Sequence, residues 1–232
     1  MSGSAVVIGA SGAIGCAVER ALIEEGAHDR VWGFARSRTG ADHLDLLDEA
    51  SIAAAAARVA AGPSPSLILI ATGLLHEGDR VPERGFKEVE AEWLARSYAV
   101  NAIGPALVLK HFLPLLPKTG EPVVAALSAR VGSIGDNGLG GWHGYRAAKA
   151  ALNMLIRNAA IEAKRQSPRA IVVGLHPGTV DSALSKPFQG NVAPGSLFAP
   201  DRAAMQLLDV IEELKPKDSG KLFAWDGAEI PF

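Results

Sequence analysis

Ala5-Val6-Val7-Ile8-Gly9-Ala10-Ser11-Gly12-Ala13-Ile14-Gly15 passes from a short apolar run into a cluster of glycines. A helical pattern then continues through Val18, Ala21 and Leu22 and stops at Gly26. A buried strand, a glycine-rich turn and the start of a helix bring backbone amides and a positive helix end up to a phosphate. The glycines are spaced Gly-x-x-Gly-x-x-Gly, which is not the common dinucleotide fingerprint. A tight turn before a close-packed helix would use the same residues. The stretch points to a nucleotide, and the rest of the chain has to carry the case.

Apolar runs of strand length recur at residues 31–35, 67–71, 123–127, 171–176 and 221–225, and a shorter strand end falls at 43–46. Helical patterns lie between them, through the alanines of 53–61 to a stop at Gly62-Pro63, then at 91–116, 143–166 and 203–214. The apolar runs lack a period of two, which indicates strands buried on both faces and a parallel sheet covered by helices. The expected fold class is α/β. It is a single Rossmann-like, doubly wound domain over residues 1–232, with a mainly parallel seven-stranded sheet and helices on both faces.

Two segments stand out from this regularity. Asn101 and Gly104-Pro105 interrupt an otherwise apolar helix, a local conflict of the kind that marks a bend or a functional site. Residues 182–200 carry Pro187, Pro194, Gly195 and Pro200 and are long enough to form a substrate loop.

Composition narrows the class. Hydrophobic residues make up 48% and the formal charge is -2, so there is no electrostatic footprint for nucleic acid or an anionic membrane. Cys16 is the single cysteine, which excludes an internal disulfide and suits a reducing compartment. No apolar run approaches the length of a membrane span, and the expected location is cytoplasmic. No metal site is expected.

The second strand ends in Arg36-Ser37-Arg38, and residues 33–38 hold no acid. In this architecture an acid there would bind a ribose 2′-hydroxyl, whereas a cation accommodates a 2′-phosphate. Arg36 therefore argues for NADP (NADPH), with NAD disfavoured. Further on, Tyr145 and Lys149 are four residues apart on a helix and so are neighbours. A free phenol has a pKa of about 10, and an adjacent cation is expected to lower it towards the range of useful proton transfer.

With Gly9 to Gly15, Asn101, Ser128, Tyr145, Lys149 and Pro177-Gly178 in this order and spacing, the chain resembles the short-chain dehydrogenase/reductase family over essentially its full length. Val131-Gly132-Ser133-Ile134, Asp136-Asn137 and Tyr145-Arg146-x-x-Lys149-Ala150-Ala151-Leu152-Asn153 are similar to the bacterial branch of C-factor-like proteins and sniffer-type carbonyl reductases.

The resemblance implies roles residue by residue. Tyr145 would be the general acid or base, with Lys149 tuning it and binding the nicotinamide ribose, and Asn101 would hold a water leading from Lys149. Gly9, Ser11, Gly12, Ala13 and Ile14 would cradle the pyrophosphate. Asp45 and Leu46 would meet the adenine, Ala71, Thr72 and Gly73 the adenosine ribose side, and Pro177, Gly178 and Thr179 the nicotinamide amide.

Three departures accompany it. The middle glycine is Gly12 and position 13 is alanine. The usual Asn-Ala-Gly after the fourth strand reads Ala71-Thr72-Gly73. Where relatives carry paired serines, this chain has Ser128-Ala129. The second of that pair polarises the substrate carbonyl, so Ser128 takes the role by a one-residue shift, or Ser133 does, or the site lacks it.

The expected activity is an NADPH-dependent oxidoreductase acting on a small apolar carbonyl or alcohol. The alternative is a nucleotide-binding signalling or scaffold protein with incidental turnover. Small or apolar residues surround the helix from Tyr145, so a homodimer or larger assembly is expected.

Overall fold

A computed structural model describes residues 3–232, with Asn191 by its backbone alone. Seven strands form one sheet in the order β2-β1-β3-β4-β5-β8-β9. These are β1 (Ser4–Ile8), β2 (Arg30–Phe34), β3 (Pro65–Ile70), β4 (Val123–Leu127), β5 (Ile171–His176), β8 (Leu222–Ala224) and β9 (Glu229–Ile230). The first six are parallel, and β9 pairs antiparallel with β8. A separate parallel pair, β6 (Thr179–Val180) and β7 (Leu197–Phe198), ties the two ends of the 182–200 loop together.

The expected count of seven holds with one exchange of members. Residues 43–46 make only an isolated bridge, Ala35 to His43, and the seventh strand is β9 instead. Gly40, at φ 60°, turns the chain through a single 3-10 turn before His43. Leu44 and Leu46 then bury their side chains without further strand pairing.

Apolar side chains of the central strands feed two cores. One lies beneath α2 (Glu49–Ala60), α4 (Gly104–Phe112) and α5 (His143–Ala163) and includes Ile8, Phe34, Ile70, Phe112, Leu152 and Ile156. The other lies beneath α1 (Ala13–Glu25) and α6 (Pro200–Glu213) and includes Val7, Leu22, Leu69, Val173 and Leu207. α3 (Ala91–Tyr98) runs into α4 through a π turn at Ala99–Ile103. Among the described residues no helix is long and apolar enough to cross a membrane.

The chain steps from β1 outward to β2, then returns past β1 to β3. That reversal leaves a crevice beyond the carboxyl ends of β1 and β3, the place where open α/β sheets bind ligands. The amide of Ala71 donates to the Ile8 carbonyl at 2.7 Å, and the amide of Gly9 to the Phe34 carbonyl at 2.8 Å. These bonds fix the glycine turn and residues 71–73 side by side at the crevice.

Candidate active site

The glycine turn is decided by room rather than by a pattern. Gly9 sits at φ 91°, and a Cβ there would come 2.5 Å from the Ala71 carbonyl oxygen. A Cβ at Gly15 would come 2.2 Å from the Gly9 carbonyl oxygen. Gly12 has an ordinary φ of -76° and caps α1 without a side-chain hydrogen bond. The backbone therefore demands glycine at 9 and 15, and Ala13 is tolerated as the first helical residue. With no side-chain cap, the first-turn amides of Ala13 and Ile14 have no intrahelical acceptor and suit an anion.

The two arginines after β2 separate clearly. Arg38 forms a two-pronged ion pair with Glu19 of α1 and also donates to the Gly33 carbonyl at 2.6 Å. The Arg36 side chain is exposed and has no hydrogen-bond or ion-pair partner among the described residues. Asp45 is half-buried and its Oδ1 accepts from the Leu47 amide at 3.0 Å. Leu46 is 9% exposed and packs against Gly104, where a Cβ would come 2.7 Å from the Leu46 Cβ. The glycine within the helix is thus explained by packing.

Asn101 lies within the π turn and is fully buried. A π turn inserts one residue into the helical ladder, and such bulges recur at functional sites. The Gly104-Pro105 step follows it, where proline supplies no amide to the helix. Asn101 Oδ1 accepts from the Leu74 amide at 2.9 Å, and its Nδ2 donates to the Leu74 carbonyl at 2.7 Å. Asn101 therefore braces the segment after β3, where the family's usual asparagine is missing. Beside it, Thr72 Oγ1 is buried without a partner among the described residues.

Lys149 is 2% exposed, and its Nζ donates to the Leu127 carbonyl at 2.8 Å, at the end of β4. The same Nζ lies 5.7 Å from the centre of the Tyr145 ring. A Cβ built on Gly73 would lie 3.7 Å from Asn101 Oδ1 and 3.8 Å from Lys149 Nζ. Gly73, Asn101, Lys149 and Tyr145, far apart in sequence, thus meet at one edge of the sheet.

The electrostatics correct one expectation. Burial lowers Lys149 to a pKa of about 7 and pushes the Tyr145 phenol above its ordinary value. Desolvation outweighs the attraction of the pair, because a lysine that titrates near 7 is only partly charged at neutral pH. Tyr145 consequently holds its proton at neutral pH and, in the cofactor-free chain, is a weaker acid than a free phenol.

Each of the two candidate serines has a hydrogen-bond partner within the protein. Ser128 is 4% exposed, and its Oγ donates to Asn153 Oδ1 at 2.6 Å. Asn153 in turn donates to the Gly132 carbonyl at 3.2 Å. Ser133 is 1% exposed and its Oγ accepts from the Asp136 amide at 3.0 Å. Both hydroxyls are engaged inside the protein. Ser128 thereby links the loop after β4 to α5, while the Ser133 proton has no acceptor among the described residues.

Pro177, Gly178 and Thr179 follow β5 and are half-buried. Gly178 has φ 73° and faces Phe198, with room for a Cβ only 2.7 Å from its ring. The 182–200 loop closes over this corner. Leu184 approaches Gly73, His76 Nε2 lies 3.0 Å from the Ala183 carbonyl, and Phe188 packs on Trp142 at 5.1 Å between ring centres. Trp142 reaches Tyr145 edge-on at 6.4 Å. Phe198 packs edge-on against Trp225 beside Gly178, and Leu139 is 94% exposed.

Fold and site together define a nucleotide-binding α/β protein with a tyrosine–lysine–asparagine cluster at the carboxyl edge of its sheet. Residues 4–192 match the short chain dehydrogenase family, and the chain belongs to that family. It is 34% identical over 145 residues to the C-signal protein of Myxococcus xanthus, covering 62% of this chain and 82% of that one. It is 33% identical over 139 residues to 1-hydroxy-2-glutathionyl-2-methyl-3-butene dehydrogenase of Rhodococcus, covering 60% of this chain and 58% of the relative. That match spans less than two thirds of the dehydrogenase's length. The fold superposes on an NADPH-bound carbonyl reductase from chicken fatty liver with TM-score 0.82 and 26% identity, covering 99% and 98% of the two chains. It superposes on the Drosophila carbonyl reductase Sniffer with TM-score 0.80 at 20% identity, covering 100% of each, a likeness of fold.

Proposed function

We propose that the protein is an NADPH-dependent oxidoreductase that reduces a small apolar carbonyl compound, or oxidises the matching alcohol. The convergence of Tyr145, Lys149, Asn101 and Gly73 at the sheet's switch-point crevice carries this reading. A nucleotide-binding scaffold has no chemical need for that cluster. The residues present fit the cofactor: uncapped amides at Ala13 and Ile14, the orphaned Thr72 hydroxyl, and the unpaired Arg36 for a 2′-phosphate. The similar chicken enzyme is an NADPH-bound carbonyl reductase, which supports the choice.

Bound there, NADPH supplies the hydride. The chain's own residues handle the proton and the geometry. Tyr145, protonated at neutral pH, would give its phenolic proton to the carbonyl oxygen as the alcohol forms. Lys149 would hold ribose hydroxyls of the cofactor and, titrating near 7, would return a proton towards Tyr145. Asn101 holds the Leu74 backbone and with it the wall of the nicotinamide side. Leu184, Phe188 and Trp142 exclude water and favour an apolar substrate. Ala129 supplies no hydroxyl, so Tyr145 is the principal donor to the carbonyl.

The test is NADPH oxidation, followed by absorbance, against a panel of aldehydes, ketones and quinones, for the parent chain and Tyr145→Phe. Turnover lost in the variant is expected. A parent chain inactive across the panel, or equal rates for both, overturns the reading.

A further inference from the structure

Glu83 stands in the charged, irregular segment that precedes α3, yet it is only 3% exposed. Glutamate is almost never fully buried unless paired, and an isolated carboxylate away from water is expensive. Among the described residues Glu83 has no arginine, lysine or histidine ion-pair partner. Its Oε2 accepts from the amide of Gly144 at 3.2 Å, and its main-chain carbonyl accepts from the amide of Trp142. Both donors belong to the start of α5, a helix of 21 residues with no side-chain cap of its own. The positive end of that helix faces Oε2, while Oε1 is buried without a hydrogen-bond partner among the described residues.

The other side of the same residue is also held. The Gly144 carbonyl accepts from Ser97 Oγ at 3.2 Å, and Ser97 Oγ accepts from Asn101 Nδ2 at 3.2 Å. Gly144 immediately precedes Tyr145. Its amide is gripped by Glu83 and its carbonyl by the Ser97–Asn101 pair, so the backbone that aims the phenol is clamped from both sides. Trp142 is held in the left-handed region at φ 50°, the only non-glycine residue there among the described residues. Such a conformation costs energy and persists only where its surroundings enforce it. The main-chain carbonyl of residue 83 accepts from the Trp142 amide there, independently of the carboxylate, and the indole forms the wall against Tyr145 and Phe188.

We infer that Glu83 is a positioning residue: its buried carboxylate seats the first turn of α5 through the Gly144 amide and thereby sets the angle of the Tyr145 phenol. This rests on Tyr145 being the proton donor. The space around the carboxylate is limited, since a Cβ at Gly144 would lie 3.0 Å from Glu83 Oε1 and 3.2 Å from Leu94 Cδ2. Gly144→Ala therefore disturbs the same contact from the opposite partner.

The experiment compares Glu83→Ala, Glu83→Gln and Gly144→Ala in the full chain. Three readouts are taken: steady-state kinetics with NADPH and the best carbonyl, NADPH titration by fluorescence, and hydrogen exchange of the peptide covering residues 142–148. Glu83→Ala is expected to lower kcat by roughly 10²-fold, the scale of a misplaced reacting group, with NADPH affinity unchanged. Exchange in 142–148 should speed up while β4 stays protected. Glu83→Gln keeps an oxygen for the Gly144 amide and should restore most of kcat. Gly144→Ala should resemble Glu83→Ala.

Parent-like kcat in Glu83→Ala, or unchanged exchange in 142–148, overturns the inference. So does a loss of NADPH binding in step with kcat, which marks general unfolding. A parent chain that reduces no carbonyl sinks the proposed reaction instead, and the exchange readout still decides whether Glu83 holds α5.

Discussion

Changing Ser128 to Ala separates a structural hydroxyl from a catalytic one. In the structure the Ser128 hydroxyl donates to Asn153 Oδ1 at 2.6 Å, and Ser128 and Asn153 are 4% and 3% exposed. Removing it leaves a buried amide oxygen without its donor, which costs about 1–3 kcal/mol. For a chain of this size each kcal/mol shifts Tm by roughly 2–4 °C, so the melting temperature should fall by about 2–12 °C. Turnover at 25 °C, well below that melt, should stay at the parent level. Thermal melts followed by circular dichroism, paired with NADPH oxidation by the same preparation, give both numbers. A fall in turnover of about 10²–10³-fold with an unchanged Tm would be the signature of a lost transition-state donor and would refute the argument. The converse change is informative too. Ala129 has extended backbone angles, φ -152° and ψ 145°, that serine also adopts. Ala129→Ser should raise turnover if that position faces the substrate, as the family resemblance implies.

Other perturbations test separate parts of the site. Arg36→Asp should move cofactor preference from NADPH towards NADH, because it removes the phosphate's partner and adds an acceptor for a hydroxyl; fluorescence titration of both nucleotides measures it, and a parent that prefers NADH refutes it. Lys149 titrates at about 7 when folded against an ordinary 10.5, so the unfolded chain binds more protons between those values and stability should rise with pH across that window. The full effect is on the order of 5 kcal/mol, so the cofactor-free chain should melt higher at pH 9 than at pH 6, and Lys149→Met should flatten that slope. For assembly, Ala147, Ala151 and Leu155 of α5 are only half-buried, and a groove of about 330 Å³ lies between α4 and α5, lined by Leu109, Leu113 and Leu155. Light scattering should give a multiple of the 24.1 kDa chain, and a mass of one chain at micromolar concentration refutes the homodimer.

Much of this protein is determined locally. Short apolar runs without alternation, bounded by turn residues and alternating with longer helical patterns, read as strands buried on both faces, so the α/β class and the parallel sheet follow from the residues. Tyr145 and Lys149 are neighbours because helical geometry makes them so, and the disruption at Asn101 and Gly104-Pro105 marks a break in helical hydrogen bonding wherever the chain folds. Residues 43–46 have the pattern of a strand end, but strand pairing is a contact between distant segments, and the chain after Gly40 makes just one bridge there.

Charge and hydrogen bonding depend still more on distant partners. Spacing alone brings a lysine beside a tyrosine and suggests a lowered phenol pKa. Only the tertiary structure shows Lys149 buried and the Tyr145 phenol withdrawn from water, and desolvation reverses that direction. Arg36 and Arg38 are alike in sequence, and Glu19 of α1 takes one and leaves the other. Ser128 is turned inward by Asn153, 25 residues further on. Glu83 reads as one more charge in a surface loop until the fold lays its carboxylate against Gly144, 61 residues away. Local periodicity records which face of an element is apolar, whereas the field and the hydrogen-bond partners at an active site come from segments that meet only after folding.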